Sequence, residues 1–162
     1  MQTRIEERDG FSLMGTSIRT SNKNEMDPTA MKIPAHWQKF TNEGILKSLA
    51  PHATSGALMG LYHTYDNGQS GSYDLTIGTT VAANAKPIAG TKIITVPSSR
   101  YVVFTTHPGQ IPEVILEGWK YIHEFFDSND TYVRSFTGDF EVYDERAQDP
   151  DKAVIEYYIS IK

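Results

Sequence analysis

Apolar side chains recur at helical spacing in two segments of the chain. The longer stripe places an apolar residue every three or four positions, at Ile111, Ile115, Trp119, Ile122 and Phe126. A shorter stripe includes Trp37 and ends before Gly44. Each stripe begins at a proline, Pro34 or Pro112, and the first helical turn is where proline is best tolerated. The pattern therefore predicts two amphipathic helices, one in each half of the chain.

Strand-like segments precede both helices. Thr3–Thr20 and Thr91–Thr106 are rich in β-branched and apolar residues, and each is interrupted by turn-forming residues. The interruptions are Asp9-Gly10 in the first segment and Pro97-Ser98 in the second. Because such residues end or bend strands, each interruption predicts either a short hairpin or a β-bulge.

Each helix is followed by a pair of strands that reads as a hairpin. The first hairpin is predicted to join Leu58–Asp66 to Ser72–Val81 around Asn67-Gly68. The second is predicted to join Phe136–Asp144 to Ala153–Ile161 around Asp149-Pro150. Both halves thus share the order strand, helix, strand, strand.

This shared order predicts an internal duplication. Trp37 and Trp119 are separated by the same sequence distance as Asp74 and Glu156, which fits two copies of one unit. We interpret residues 1–162 as a single domain with a first repeat at about 1–81, a linker at 82–90 and a second repeat at 91–162. The expected fold class is α+β, in which two β-α-β-β repeats related by a pseudo-twofold axis form one antiparallel sheet. Both helices are expected on one face, beside a central ligand groove.

Composition and charge remove several classes of function. The 162 residues include no cysteine, which excludes disulfides and thiolate sites, and the net charge of −5 disfavours a nucleic-acid surface. The five histidines lack the spacing of metal ligands, so no metal and no cofactor are expected. No signal peptide or membrane-spanning segment is evident, which makes the cytoplasm the expected location.

The second hairpin carries the candidate catalytic residues. If its two arms are symmetric about the turn, Glu141 lies opposite Glu156, with Tyr143 and Tyr158 on the same face. Among buried aromatic side chains, such a pair of carboxylates would either raise one pKa or bind a cation. The alternative is that both glutamates point into solvent, as strand glutamates often do.

Aromatic residues make up 11% of the chain and supply candidate ligand contacts. The same symmetric construction in the first hairpin pairs His63 with Asp74. The side chains expected to border the groove with His63 are Trp37, Trp119, Tyr65, Tyr101 and Phe104. Aromatic walls around an acid suit flat or cationic molecules, through stacking and cation–π contacts of roughly 0.5–2 kcal/mol each. The alternative for each tryptophan is ordinary packing between helix and sheet.

Several short runs resemble the GyrI-like (gyrase-inhibitor-like) effector-binding family. They occur in the family's order over nearly the whole chain, at residues 60–66, 71–78, 140–146 and 155–159. The resemblance implies two β-α-β-β units and a groove for bulky aromatic or cationic compounds, with acids at Glu141 and Glu156. The absence of room for a DNA-binding segment makes the chain look like the stand-alone branch, which includes hydrolases of cyclopropane-bearing, DNA-alkylating toxins. In those relatives two tryptophans sandwich the ligand, which implies that role for Trp37 and Trp119.

The resulting hypothesis is a protein that binds bulky aromatic or cationic small molecules and hydrolyses strained electrophiles. In the catalytic version Glu141 or Glu156 is the general base on water, and Tyr143 or Tyr158 donates to the developing oxyanion. One alternative is a passive multidrug binder or sensor. Another is an interaction module that acts on a DNA-handling enzyme. No nucleic-acid or membrane partner is expected, and dimerisation through a sheet edge is left open.

Overall fold

The computed structural model describes all 162 residues as a single eight-stranded sheet with helices on one face. The strands are β1 (Gln2–Arg8), β2 (Phe11–Ser21), β3 (Leu58–His63), β4 (Ser72–Val81), β5 (Lys92–Val96), β6 (Ser99–Thr105), β7 (Asp139–Tyr143) and β8 (Glu156–Ile161). The α-helices are α1 (Asn22–Glu25), α2 (Ile33–Asn42), α3 (Ile45–Leu49) and α4 (Glu113–Ser128). None of them has the length and apolar character needed to cross a bilayer.

The two main helices begin at the predicted prolines. Pro34 lies in the first turn of α2, and Pro112 directly precedes α4. The backbone of α4 lies against the sheet at Gly118, where a Cβ atom would be only 2.5 Å from the hydroxyl of Tyr157. Because any larger residue would push the helix away, this glycine sets how closely α4 approaches β8.

The strand order confirms the predicted α+β architecture. All neighbouring strands are antiparallel, in the order β1-β6-β8-β7-β3-β4-β2-β5. Strands β1 to β4 of the first half correspond to β5 to β8 of the second. If each strand is exchanged with its counterpart, the same strand order results, read from the opposite end. The pseudo-twofold axis therefore passes between β3 and β7, at the middle of the sheet.

The interruptions at Asp9-Gly10 and Pro97-Ser98 are neither hairpins nor bulges, so that prediction is wrong. β1 pairs with β6 at one end of the sheet, and β2 pairs with β5 at the other end. The chain therefore crosses between the two ends of the sheet at each interruption, from β1 to β2 and from β5 to β6. A Cβ atom on Gly10 would lie 2.9 Å from the carbonyl oxygen of Val96, which shows that the two crossings touch. The sheet curls strongly enough to bring its ends together, since twist accumulates across many strands.

Both faces of the sheet are consequently buried. On the helical face, one cluster packs beneath α4 and another beneath α2. On the opposite face, the curl encloses a third cluster: Leu13, Met59, Leu61, Val96, Tyr101, Val103, Phe140 and Tyr158. Successive side chains along a strand therefore lie alternately in the core beneath the helices and in the core enclosed by the curl, and not alternately in a core and in solvent.

The hairpin registers separate the two predicted polar pairs. His63 lies opposite Asp74, as expected. Glu141, however, lies opposite Tyr157, and Glu156 lies opposite Val142. The predicted pairing of Glu141 with Glu156 is wrong by one residue, because the connection is an asymmetric loop containing a short 3₁₀ turn at Glu145–Ala147. A shift of one residue moves a side chain to the other face, so the two glutamates point in opposite directions.

Candidate functional site

The carboxylate of Glu141 is the centre of the candidate site. β7 directs it to the helical face near the pseudo-twofold axis, where Glu141 is only 1% exposed. The indole Nε1 of Trp119 donates to Oε2 at 2.6 Å, and the hydroxyl of Tyr143 donates to Oε1 at 3.0 Å. The hydroxyl of Tyr62 donates to Oε2 at 3.4 Å. All three donors are neutral.

No cationic side chain forms an ion pair with Glu141. Burial raises the pKa of its carboxyl to about 7, while the hydrogen bonds from Trp119, Tyr143 and Tyr62 act in the opposite direction without cancelling that effect. The group therefore changes charge near neutral pH. A buried carboxylate that lacks a cation is costly unless something else compensates its charge.

Aromatic rings from both halves enclose this carboxylate. Trp37 on α2 contacts Tyr143 edge to face at 5.1 Å between ring centroids. Trp119 on α4 contacts Tyr62 in the same way at 5.0 Å. Gly60 on β3 leaves the necessary space, because a Cβ atom there would lie 2.8 Å from Oε1 of Glu141 and 3.4 Å from the Trp37 ring. The two tryptophans thus lie on related helices around one acid.

A cavity of about 340 Å³ adjoins this enclosure between the segment 22–34 and α4. Tyr62 and Trp119 are part of its wall and also donate to Glu141, so they link the cavity to the buried carboxylate. Tyr65 and Tyr73 extend the aromatic wall away from Glu141. The space matches the lower end of the range for small-molecule pockets in proteins, roughly 300–1,000 Å³. We call this cavity the groove.

Glu156, the second predicted acid, lies on the opposite face of the sheet. Nη1 of Arg4 donates to it at 2.8 Å, Thr105 donates at 3.0 Å, and Nη2 of Arg146 lies at 3.2 Å. Burial works to raise the pKa of its carboxyl, but the hydrogen bonds from these residues outweigh burial and the pKa is lowered. The structure therefore corrects the expectation of a shared acidic floor, because the register turns Glu156 toward arginines instead of the groove.

Three other predicted residues follow Glu156 to that face. Tyr158 stacks on Phe140 with ring centroids 4.6 Å apart, and Tyr101 is 1% exposed in the same cluster. His63 contacts Thr76 through Nε2 at 2.7 Å, and burial lowers its pKa to about 4. None of the three borders the groove, because strand alternation assigns them to the interior that the curl encloses.

The remaining predicted residues lie on the helical face. Phe104 packs beneath α4 against Phe125 at 5.1 Å and contributes to the core rather than to the groove. Tyr65 lines the groove and donates to Asp139 at 2.7 Å. The structure therefore places Trp37, Trp119 and Tyr143 around the carboxylate of Glu141, and Tyr65 farther along the groove.

Sequence reasoning missed two tyrosines and an arginine of the groove. Tyr62 and Tyr73 lie on β3 and β4. Tyr62 could have been found from strand alternation, because it is two residues from Gly60 and therefore on the same, helical face of the sheet. Arg134 lies in the irregular segment between α4 and β7 and also lines the groove. No periodic pattern marks that position.

Comparison with known proteins gives consistent matches over the whole chain. The model of a protein family described as integron-associated effector binding protein matches residues 4–161. The putative transcriptional regulator protein YobU of Bacillus subtilis (strain 168) is 34% identical over 148 residues, which cover 91% of this chain and 90% of that protein.

Two solved structures are similar in fold. An integron cassette protein from the mobile metagenome of Vibrio cholerae has a TM-score of 0.76 at 25% identity, covering 99% of this chain and 95% of that one. SAV2435 bound to tetraphenylphosphonium has a TM-score of 0.82 at 21% identity, covering 100% of this chain and 94% of that one. At the latter identity the likeness shows the fold alone.

Proposed function

Because the chain belongs to the family of integron-associated effector-binding proteins, a GyrI-like family as its sequence motifs indicated, we propose that it binds bulky aromatic cations in the groove. The cationic group of the ligand is held by the carboxylate of Glu141. Its rings lie against Trp119, Tyr62 and the neighbouring tyrosines, so the aromatic wall selects flat or bulky hydrophobic molecules.

One observation carries this proposal: a fully buried carboxylate has only neutral partners. Structural glutamates at such positions are normally paired with Lys or Arg, because an uncompensated charge in a low-dielectric interior is unfavourable. A ligand cation supplies the missing charge. The rings of Trp37, Trp119 and Tyr62 add cation–π attraction of about 0.5–2 kcal/mol per favourable contact.

The proposal requires a movement of the aromatic side chains. Trp119 is half-buried, and with Tyr62 it separates Glu141 from the groove. A cation reaches the carboxylate when the Trp119 indole turns aside, and the rings then close on the ligand. The ligand named for SAV2435, tetraphenylphosphonium, has this chemistry, a lipophilic cation surrounded by aromatic rings, and supports the same class here.

Calorimetric titration with tetraphenylphosphonium tests the proposal. At about pH 8, where Glu141 is ionised, Glu141→Gln should weaken binding by roughly 10- to 100-fold, since hydrogen bonds and contacts to a charged group are worth about 1.5–3 kcal/mol. Glu156→Gln is the matched control, because it neutralises the neighbouring strand's glutamate on the opposite face, and affinity should change less than about twofold. Equal effects of the two substitutions would contradict the proposal.

Hydrolysis of cyclopropane-bearing toxins is a second candidate, favoured by the Glu141 pKa of about 7. In this reaction the Glu141 carboxylate accepts a proton from water, and the water oxygen bonds to a cyclopropane carbon as the ring C–C bond breaks. The electron pair moves to the conjugated carbonyl oxygen, to which Tyr143 donates a hydrogen bond, and the proton taken up by Glu141 is then transferred to that oxygen. Mass spectrometry should then detect a product one water heavier than the substrate, formed by the wild type and not by Glu141→Gln. Recovery of intact ligand would instead identify a passive binder or sensor.

A further inference from the structure

The groove also contains a buried arginine, which pairs with Asp139 at the start of β7. Arg134 lines the cavity, although its side chain is only 8% exposed. Its Nη2 contacts Oδ2 of Asp139 at 2.7 Å, and its guanidinium carbon lies 4.3 Å from the ring centroid of Phe136. An ion pair on one edge and an aromatic ring on one face hold the guanidinium in a fixed orientation.

Most donors of this guanidinium are unused. An arginine carries five N–H groups, and here the contact to Asp139 is its one hydrogen bond. Nε is buried and has no partner. A buried donor without an acceptor is unfavourable by about as much as a lost hydrogen bond. Because Nε is closed to solvent, an acceptor in the groove gains that hydrogen bond only after a small shift of the Arg134 side chain.

Asp139 cannot satisfy the remaining donors, because its own oxygens are occupied. The backbone N–H and the hydroxyl of Ser160 donate to Oδ1 at 2.8 and 2.9 Å. The hydroxyl of Tyr65 shares Oδ2 with Arg134. This arrangement fixes the position of Asp139 and leaves the other N–H groups of the Arg134 guanidinium without an acceptor from Asp139.

The surroundings of Arg134 also favour an acceptor. His123 lies one helical turn from Trp119 along the same groove wall. Burial lowers its pKa, and the positive charge of Arg134 lowers it further, so His123 is neutral there at physiological pH. The groove thus adjoins the Glu141 carboxylate behind Trp119 and Tyr62, and it contains in Arg134 a fixed cation with free donors.

We propose that Arg134 is a second polar anchor of the groove and binds a carboxylate group of the ligand. This inference rests on the proposed function and narrows its ligand class. The preferred ligand is an aromatic compound that carries a carboxylate in addition to its cationic group. Planar fork donors bind such acceptors through charge-assisted hydrogen bonds.

A pair of probes that differ only at the acceptor separates this inference from the proposed function. Ciprofloxacin has a cationic piperazine at one end of an aromatic bicycle and a carboxylate at the other, and its ethyl ester lacks only the anionic charge. Fluorescence titration at about pH 8 should show wild-type protein binding the acid at least about tenfold more tightly than the ester.

Charge-balanced variants assign that preference to Arg134. The double variant Arg134→Met/Asp139→Asn removes the cation together with its buried counter-charge, and it should bind both probes within about twofold of each other. Asp139→Asn alone is the matched control. It keeps Arg134 and releases Nη2, so the preference for the acid should persist or increase.

Arg134→Lys keeps the ion pair but loses the planar fork, so it provides an independent measurement if the double variant does not fold. The preference for the acid should fall by at least about fivefold in this variant. Equal binding of acid and ester by the wild type, or an unchanged preference in the folded variants, would overturn the anchor and leave the proposed function standing. If neither probe binds a wild type that does bind tetraphenylphosphonium, the anchor alone is overturned, and if tetraphenylphosphonium also fails to bind, the proposed function is overturned with it.

Discussion

Two glutamates on adjacent strands, Glu141 on β7 and Glu156 on β8, have similar burial and opposite electrostatics. They are 1% and 9% exposed. Glu141 is held by one indole and two phenols, and burial raises its pKa to about 7. Glu156 is held by two arginines and a threonine, and its pKa is lowered despite burial.

The comparison shows that partners, and not burial alone, decide what a buried carboxylate contributes. Glu156 is satisfied within the chain, and its arginines tie β8 to β1 and to the 3₁₀ turn at Glu145–Ala147. Glu141 has no counter-charge of its own, so its ionised form favours a cation from outside. One glutamate therefore supports the fold, and we propose that the other supports recognition.

The largest expected difference concerns stability as a function of pH. The unfolded chain releases the Glu141 proton near pH 4.5 and the folded chain near 7. Between these values the folded state binds more protons, so the free energy of unfolding falls as pH rises, by on the order of 3 kcal/mol in total. His63, with its pKa lowered to about 4, acts in the opposite direction over the same pH range. Urea denaturation at several pH values should therefore show the fall as the difference between the wild type and Glu141→Gln. Parallel curves for wild type and Glu141→Gln would contradict it.

Ligand binding should depend on pH in the opposite direction. A permanent cation prefers ionised Glu141, so binding below pH 7 requires the loss of a proton. The affinity for tetraphenylphosphonium should be constant above about pH 8 and fall roughly tenfold per pH unit below 7, reaching about a hundredfold at pH 5. Calorimetry on Glu141→Gln should give a flat profile. A flat wild-type profile would show that the carboxylate does not contact the cation.

Crowding the Glu141 pocket should lower the free energy of unfolding by a smaller but still measurable amount. Gly60→Ala places a methyl group 2.8 Å from Oε1 of Glu141, and the carboxylate must shift away from its donors. We expect a loss of about 1–3 kcal/mol in the free energy of unfolding, the usual range for overpacking, together with weaker cation binding. Gly56→Ala is the control, because nothing lies within 4 Å of a Cβ atom there. Similar denaturation midpoints for the two variants would contradict the geometry.

The smallest effect is expected at Glu156. Glu156→Gln leaves Arg4 and Arg146 without their shared anion, but these side chains are 46% and 38% exposed and water solvates them. The loss at neutral pH should be about 1 kcal/mol by urea denaturation. It should vanish as pH falls through the lowered pKa of Glu156, because the wild-type carboxyl is then protonated too. Glu6→Gln, which removes the exposed partner of Arg4, should change stability by less than about 0.5 kcal/mol.

Much of the architecture could be predicted from local patterns. The helix starts at Pro34 and Pro112 and the strand pairs of both hairpins follow from residues close in sequence, although β7 and β8 begin three residues later than predicted, at Asp139 and Glu156. The aromatic character of the candidate site, and Glu141 and Glu156 as its candidate acids, were predicted from composition and family resemblance. Neither needs more than the identity of the residues and their order.

What the sequence determined by itself is therefore the type and order of the elements, because periodicity and turn chemistry act over a few residues. The tertiary structure alone decided that β1 pairs with β6, that the sheet ends meet at Gly10, and that Glu156 turns away from Glu141. Register depends on loop shape and on contacts between distant strands, and one residue of shift exchanges the faces of the sheet. For the same reason Arg134 joins the groove without any sequence signal, since only the packing of its loop against α4 and β7 brings it there.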